Sequence, residues 1–221
     1  MEDLKMLMTI YRYAAPIAGV LLLFATLPNL LKATTLPRGF HIPGLLLELV
    51  ENEDEVKAVE KVKLPDKIRR DLWIDTLGFI PFYTFLFLVI GYWLMKRDVP
   101  FAFALGVIAC VGIVLVAGFD LLENARIFSV LKASSPQLVD GIRHAALGKW
   151  GLMFALVLMI SYPFLRSGGW LLAVGLVYLI AAVVGLLGVF WHRPLVEWGF
   201  MLVALSMLVS GEAVRYIPAK G

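Results

Sequence analysis

A chain of 221 residues that is 61% hydrophobic and 17% charged, with mean hydropathy +0.86, is too apolar for a water-soluble domain. Such domains are about half apolar and about a quarter charged. A net charge of only +3 carries little information about nucleic acid, and with no basic patch interleaved with exposed aromatics none is expected as a partner; the single cysteine excludes an intramolecular disulfide or a cysteine-based zinc centre.

The charges are segregated, leaving long apolar runs. These predict an all-α, polytopic transmembrane helix bundle, a single domain over 1–221, with six spans near 12–32, 70–95, 100–124, 146–166, 169–190 and 194–216. Met1 to Arg12 carries both signs of charge and no small-x-small cleavage site follows, so the first run reads as a retained span. Tyrosine and tryptophan cluster at the span ends, as interfacial belts do: Tyr11, Tyr13, Tyr92, Trp93, Tyr162, Trp170 and Tyr216 on one side, Trp73, Trp150, Trp191 and Trp198 on the other.

Between the first two spans lies the one long connection, Thr34 to Arg70. Asn52 or Asp54 is expected to cap a helix with Val56, Val59 and Val62 on one side, and Glu53–Lys57 to pair across it. Leu45 to Val50 is too short to span, so this loop is expected to lie as helical pieces along the interface, either a connector or a lid. The side carrying this loop holds thirteen of the twenty Lys and Arg residues, Lys32 among them, and the other holds seven, Lys220 included. The positive-inside rule then places the loop in the cytoplasm and both termini outside, in a plasma (inner) membrane. Small residues on the third span (Gly106, Cys110, Gly118) and the fifth (Ala181, Gly185, Gly188) offer close helix contacts.

The residues that could carry chemistry gather at one end. Pro100 to Phe119 is uncharged and leads to Asp120-Leu121-Leu122-Glu123-Asn124, in which Asp120, Glu123 and Asn124 share a helix face. Asp75 lies twenty-one residues before Lys96 and Asp120 twenty-one after Val99. Both therefore stand about 31 Å from the turn between them, level on adjacent antiparallel helices. Asn29, Lys32, His144, Lys149 and Glu197 reach the same end, while Glu212 and Arg215 form a pair at the other. Phe79 and Phe82 follow Asp75 at i+4 and i+7, with Tyr83 beside that stripe, as the wall of an aromatic cavity or as ordinary packing. Two level carboxylates need a counter-ion, for which Lys149, Arg126 and Arg70 are candidates.

The run Arg69 to Tyr83, the Asp120-x-x-Glu123-Asn124 element and Lys149 resemble a family of uncharacterised bacterial membrane proteins with an Asp-led aromatic helix and an Asp-x-x-Glu-Asn helix. The resemblance covers about residues 45 to 165 and implies no activity.

These features point first to a protein that binds or modifies a membrane lipid or other amphiphile. Asp75, Asp120 and Glu123 are its candidate acid/base groups; Asn124, Lys149, His144, Asn29, Glu197, Phe79, Phe82 and Tyr83 are its candidate binding residues, with Lys149 and Asn124 on a headgroup or phosphate. No metal or cofactor is expected, and a homo-oligomer or larger membrane complex is compatible with the chain. The alternatives are a non-catalytic membrane subunit whose cluster locks helices together and, ranked lower, a transporter or proton channel, since the midplane offers little beyond Cys110 and hydroxyls.

Overall fold

The structure, a computed structural model, describes residues 2–30 and 36–217; Lys32, Lys220 and the start of the 34–70 loop lie outside them. The chain is all-helical, and six of its helices are long and apolar enough to cross a membrane. In chain order the helices are α1 (Glu2–Leu30), α2 (Pro43–Glu48), α3 (Glu53–Val62), α4 (Pro65–Ile74), α5 (Ile80–Leu94), α6 (Ala102–Val130), α7 (Pro136–Ser167), α8 (Gly169–Phe190) and α9 (Leu195–Ala213). A π-helical turn, Asp75–Phe79, joins α4 and α5 into one rod. The packing order α1–α9–α8–α7–α6–α5 closes into a ring, and the seam between α5 and α1 is its thinnest.

Four expected spans are longer than predicted: the first starts at Glu2 and the second at Pro65. The third continues to Val130, and the fourth starts at Pro136, where the Ser135 hydroxyl accepts the Leu138 N–H at 3.3 Å. Asp120 therefore lies ten residues inside the end of α6, about 15 Å. The carboxylates are recessed, with helix above them on the loop side. Pro100 stands in the turn before α6 rather than at its first position, and Phe101 adopts a left-handed conformation to start the helix.

Proline explains the π turn. Pro81 has no N–H for the carbonyl four residues back, and its ring would press on that carbonyl. The Ile80 N–H instead reaches back five residues to the Asp75 carbonyl, and the widened turn takes up one extra residue. In an unbroken helix Tyr83 would stand about 80° round the axis from Asp75; the extra residue turns it back by roughly 100°, nearly into line.

The connecting loop does not lie flat on the interface. Leu45, Leu46, Leu47, Leu49 and Val50 are all buried, so α2 is pushed into the end of the ring, against α6 and α7. Taking five such side chains out of water contributes on the order of 10 kcal/mol gross, which offsets the entropy of ordering the loop. Two carboxylates fasten it. Glu55 receives the Arg38 guanidinium at 2.7 and 2.9 Å and the Glu51 N–H at 2.8 Å. Glu197, fully buried in the first turn of α9, accepts the backbone N–H groups of His41 (2.9 Å) and Ile42 (2.7 Å). Asn52 caps α3 through the Glu55 N–H at 3.0 Å, and Val56 and Val59 are buried, but Val62 is exposed. Lys57 pairs with Asp54 at 3.2 Å rather than with Glu53.

The aromatic belts are only partly interfacial. Trp73, Trp170, Trp191, Trp198, Tyr13 and Tyr216 are exposed, whereas Tyr11, Trp93 and Trp150 are buried among helices. Of the small residues, Gly106 lies so close to α5 that an added Cβ would meet the Gly91 carbonyl at 2.4 Å, and at Gly185 it would meet the Phe154 ring at 2.3 Å. Gly118 faces open space and makes no such contact.

Candidate functional site

Lys149 is the centre of the polar cluster. It enters from α7 and is almost fully buried (4% exposed). Its Nζ donates to Glu48 Oε2 at 2.8 Å and to Asp120 Oδ1 at 2.9 Å, and stands 2.9 Å from Glu123 Oε2. A buried ammonium is stable only where such partners replace its lost hydration. Glu123, itself fully buried, contributes charge without a well-directed hydrogen bond, and its Oε1 has no partner. The Lys149 ammonium also lies 4.9 Å from the centroid of the neighbouring Trp150 ring. The Trp150 indole N–H donates to Glu48 Oε2 at 2.9 Å.

Asp120 has both oxygens engaged, since its Oδ2 accepts the Tyr83 hydroxyl at 2.9 Å. The π turn makes that bond available by turning Tyr83 towards α6. Asp75 is held differently. Its Oδ2 accepts the Asn124 amide at 2.7 Å, and the same amide donates to the Thr76 hydroxyl at 3.0 Å. Asp75 Oδ1 and Glu48 Oε1 have no hydrogen-bond partner among the described residues.

These groups sit at the polar end of one cavity of about 220 Å³. Glu48, Asp75, Tyr83, Asp120 and Lys149 line that end. The remainder is apolar apart from Thr26: Ala18 and Leu22 from α1, Phe79, Phe82, Leu86 and Phe87 from the α5 rod, Met153 and Phe154 from α7, and Phe200, Val203 and Met207 from α9. α8 does not reach it. A second cleft of about 170 Å³ approaches from the loop side and shares Gly44, Glu48 and Asp75 with the first. The two carboxylates thus form the wall between an apolar chamber and a cleft towards the extramembrane loop, whose rim carries the Lys63–Asp71 ion pair.

The structure brings together Asp75, Tyr83, Asp120, Glu123, Asn124 and Lys149, with Phe79 and Phe82 on the adjoining wall. It does not bring in the others. Glu197 is occupied in holding His41 and Ile42. His144 is exposed, with its Nδ1 2.8 Å from the Asp140 carbonyl oxygen and 3.4 Å from Asp140 Oδ1. Asn29 donates to the Ala25 carbonyl on α1 at 3.3 Å. Of the other candidate counter-ions, Arg126 donates to the Gly141 carbonyl and Arg70 reaches Asp71. At the far end, Glu212 pairs with Arg215 as expected and also with Arg12.

Sequence reasoning missed Glu48, because the charge lies in a stretch too short to span and so assigned to the interface. The available signal was an isolated acid within the apolar run Leu45 to Val50. Trp150 was taken for an interfacial marker, and its indole N–H is a ligand of that acid.

One ammonium lies against three carboxyl groups, with Asp75 as a fourth nearby, and the Lys149, Tyr83, Trp150 and Asn124 donors all point at acceptors within the cluster. Such a site can orient a group that donates hydrogen bonds, with Asp75 and Glu48 as its acceptors. Comparison with family models, with curated proteins and with solved structures finds no match for this chain, so what the site does is argued from its own geometry.

Proposed function

We propose that this integral membrane protein binds an amphiphile, with the headgroup at the Asp75/Glu48 end of the cavity and the chain along its apolar wall. The observation that carries this reading is the continuity of the cavity: carboxylates and a lysine at one end, aromatic and aliphatic side chains along the rest, beside the thinnest seam of the helix ring. Convergent polar groups at one end of an apolar pocket fix orientation while the apolar part supplies affinity. If the bound molecule is also transformed, Asp75 and Glu48 each have an uncommitted oxygen to take or give a proton, and Asp120 positions Lys149 and Tyr83.

Mass spectrometry of the purified full-length chain tests the reading. A stoichiometric amphiphile should copurify with the wild type and be lost from Leu22→Trp, which fills the α1 side of the cavity. Equal lipid content in both would contradict it.

A second reading has one observation in its favour: Lys149 ties α2, α6 and α7 together, as a purely structural lock would. Under that reading no specific amphiphile copurifies, and Leu22→Trp changes nothing but local packing.

The orientation proposed is loop inward, with both termini outside, in a bacterial inner membrane, on the strength of the basic residues on the loop side. In a Cys110→Ala background, a membrane-impermeant thiol reagent applied to intact cells should label Asp98→Cys and spare Asp54→Cys. The reverse pattern would invert the topology.

A further inference from the structure

Donor and acceptor bookkeeping within the cavity narrows the headgroup, an argument that rests on the amphiphile reading above. The Lys149 ammonium is surrounded by Glu48, Asp120 and Glu123 at 2.8–2.9 Å. The Tyr83 hydroxyl is given to Asp120, the Trp150 indole to Glu48, and the Asn124 amide to Asp75 and Thr76. The Thr26 hydroxyl, also on the wall, is given to the Leu22 carbonyl at 2.7 Å. Each donor lining the cavity therefore already has an acceptor, and binding a phosphate would strip Lys149 of a carboxylate and bring a further negative charge beside a cluster of acids. What the cavity offers is acceptors, Asp75 Oδ1 and Glu48 Oε1 on its wall. Behind them lies a further carboxyl group, the fully buried Glu123, whose Oε1 has no partner. A protonated primary amine supplies up to three donors and a positive charge in one group. The cavity volume, about 220 Å³, is below the range usual for drug-sized ligands. That suits one hydrocarbon chain rather than two.

We propose that the ligand is a single-chain amphiphile with a primary ammonium headgroup, held by Asp75 and Glu48 with its chain against Phe82, Leu86 and Met207.

The test compares dodecylamine, dodecanol and dodecyl phosphate for binding to the full-length protein in a neutral detergent, by native mass spectrometry and thermal shift. The amine should bind at least about tenfold more tightly than the phosphate. Asp75→Asn with Glu48→Gln should weaken amine binding by a similar factor and the alcohol, which brings one donor and no charge, by much less; micelle partitioning is common to all variants and cancels. Tighter binding of the phosphate, or amine binding indifferent to the double substitution, would overturn the headgroup assignment and leave the amphiphile reading standing. If none of the three binds the wild type, that reading fails too. Should the double variant not fold, the wild-type ranking alone decides.

Discussion

Replacing Lys149 with methionine should destabilise the protein by about 3–5 kcal/mol, the cost of removing one partner from a buried ion cluster. Methionine matches the length of the lysine stem, so the loss is electrostatic rather than a cavity effect. Glu48, Asp120 and Glu123 would then face one another without a cation in a largely buried site. Because the penalty comes from uncompensated charge, Lys149→Met combined with Asp120→Asn should recover a substantial part of it. Denaturation of the four proteins of that cycle in the same detergent measures the coupling. Strictly additive losses would show that Lys149 and Asp120 are not partners.

Glu197→Ala should release the loop. Its carboxylate is the acceptor for two backbone N–H groups immediately before α2, and its removal leaves both without that partner, at about 1–3 kcal/mol each. The five apolar side chains of 45–50 stay buried only while α2 is held in the ring, so its withdrawal would also take Glu48 away from Lys149. Trypsin cleavage after Lys57 and Lys61 should therefore be much faster in Glu197→Ala than in the wild type, and Glu197→Gln, which keeps one acceptor, should lie between. Equal protection in all three would mean that α2 is held by its packing alone.

The six spans were legible because hydropathy over about twenty residues is a strong signal, and Lys149 was legible as one candidate counter-ion of Asp120, through helical spacing and equal depth. What stayed hidden depends on features that residue spacing does not encode. The phase change that carries Tyr83 to Asp120 comes from a π turn forced by Pro81, and an unbroken-helix projection leaves Tyr83 beside the stripe instead of on it. Glu48 and Glu197 share one cause. A short apolar segment in a loop reads as interfacial until its burial is known, and an acid at a span end reads as part of the nearby polar cluster until a loop backbone is found above it. The headgroup proposed here differs from the phosphate expected at Lys149 and Asn124 because their side-chain nitrogens already face carboxylates and a threonine hydroxyl, which residue spacing does not encode.

The most direct test of the account is where a bound chain lies. A single-chain amphiphile bearing a diazirine at its chain terminus, photolysed on the full-length protein and mapped by peptide mass spectrometry, should label Leu86, Phe87 or Met207 at the apolar end of the cavity. Labelling should disappear in Leu22→Trp. Labelling confined to outward-facing residues such as Phe24 and Leu115, unaffected by that substitution, would mean that the chain only solvates the protein and that the cavity is not its site.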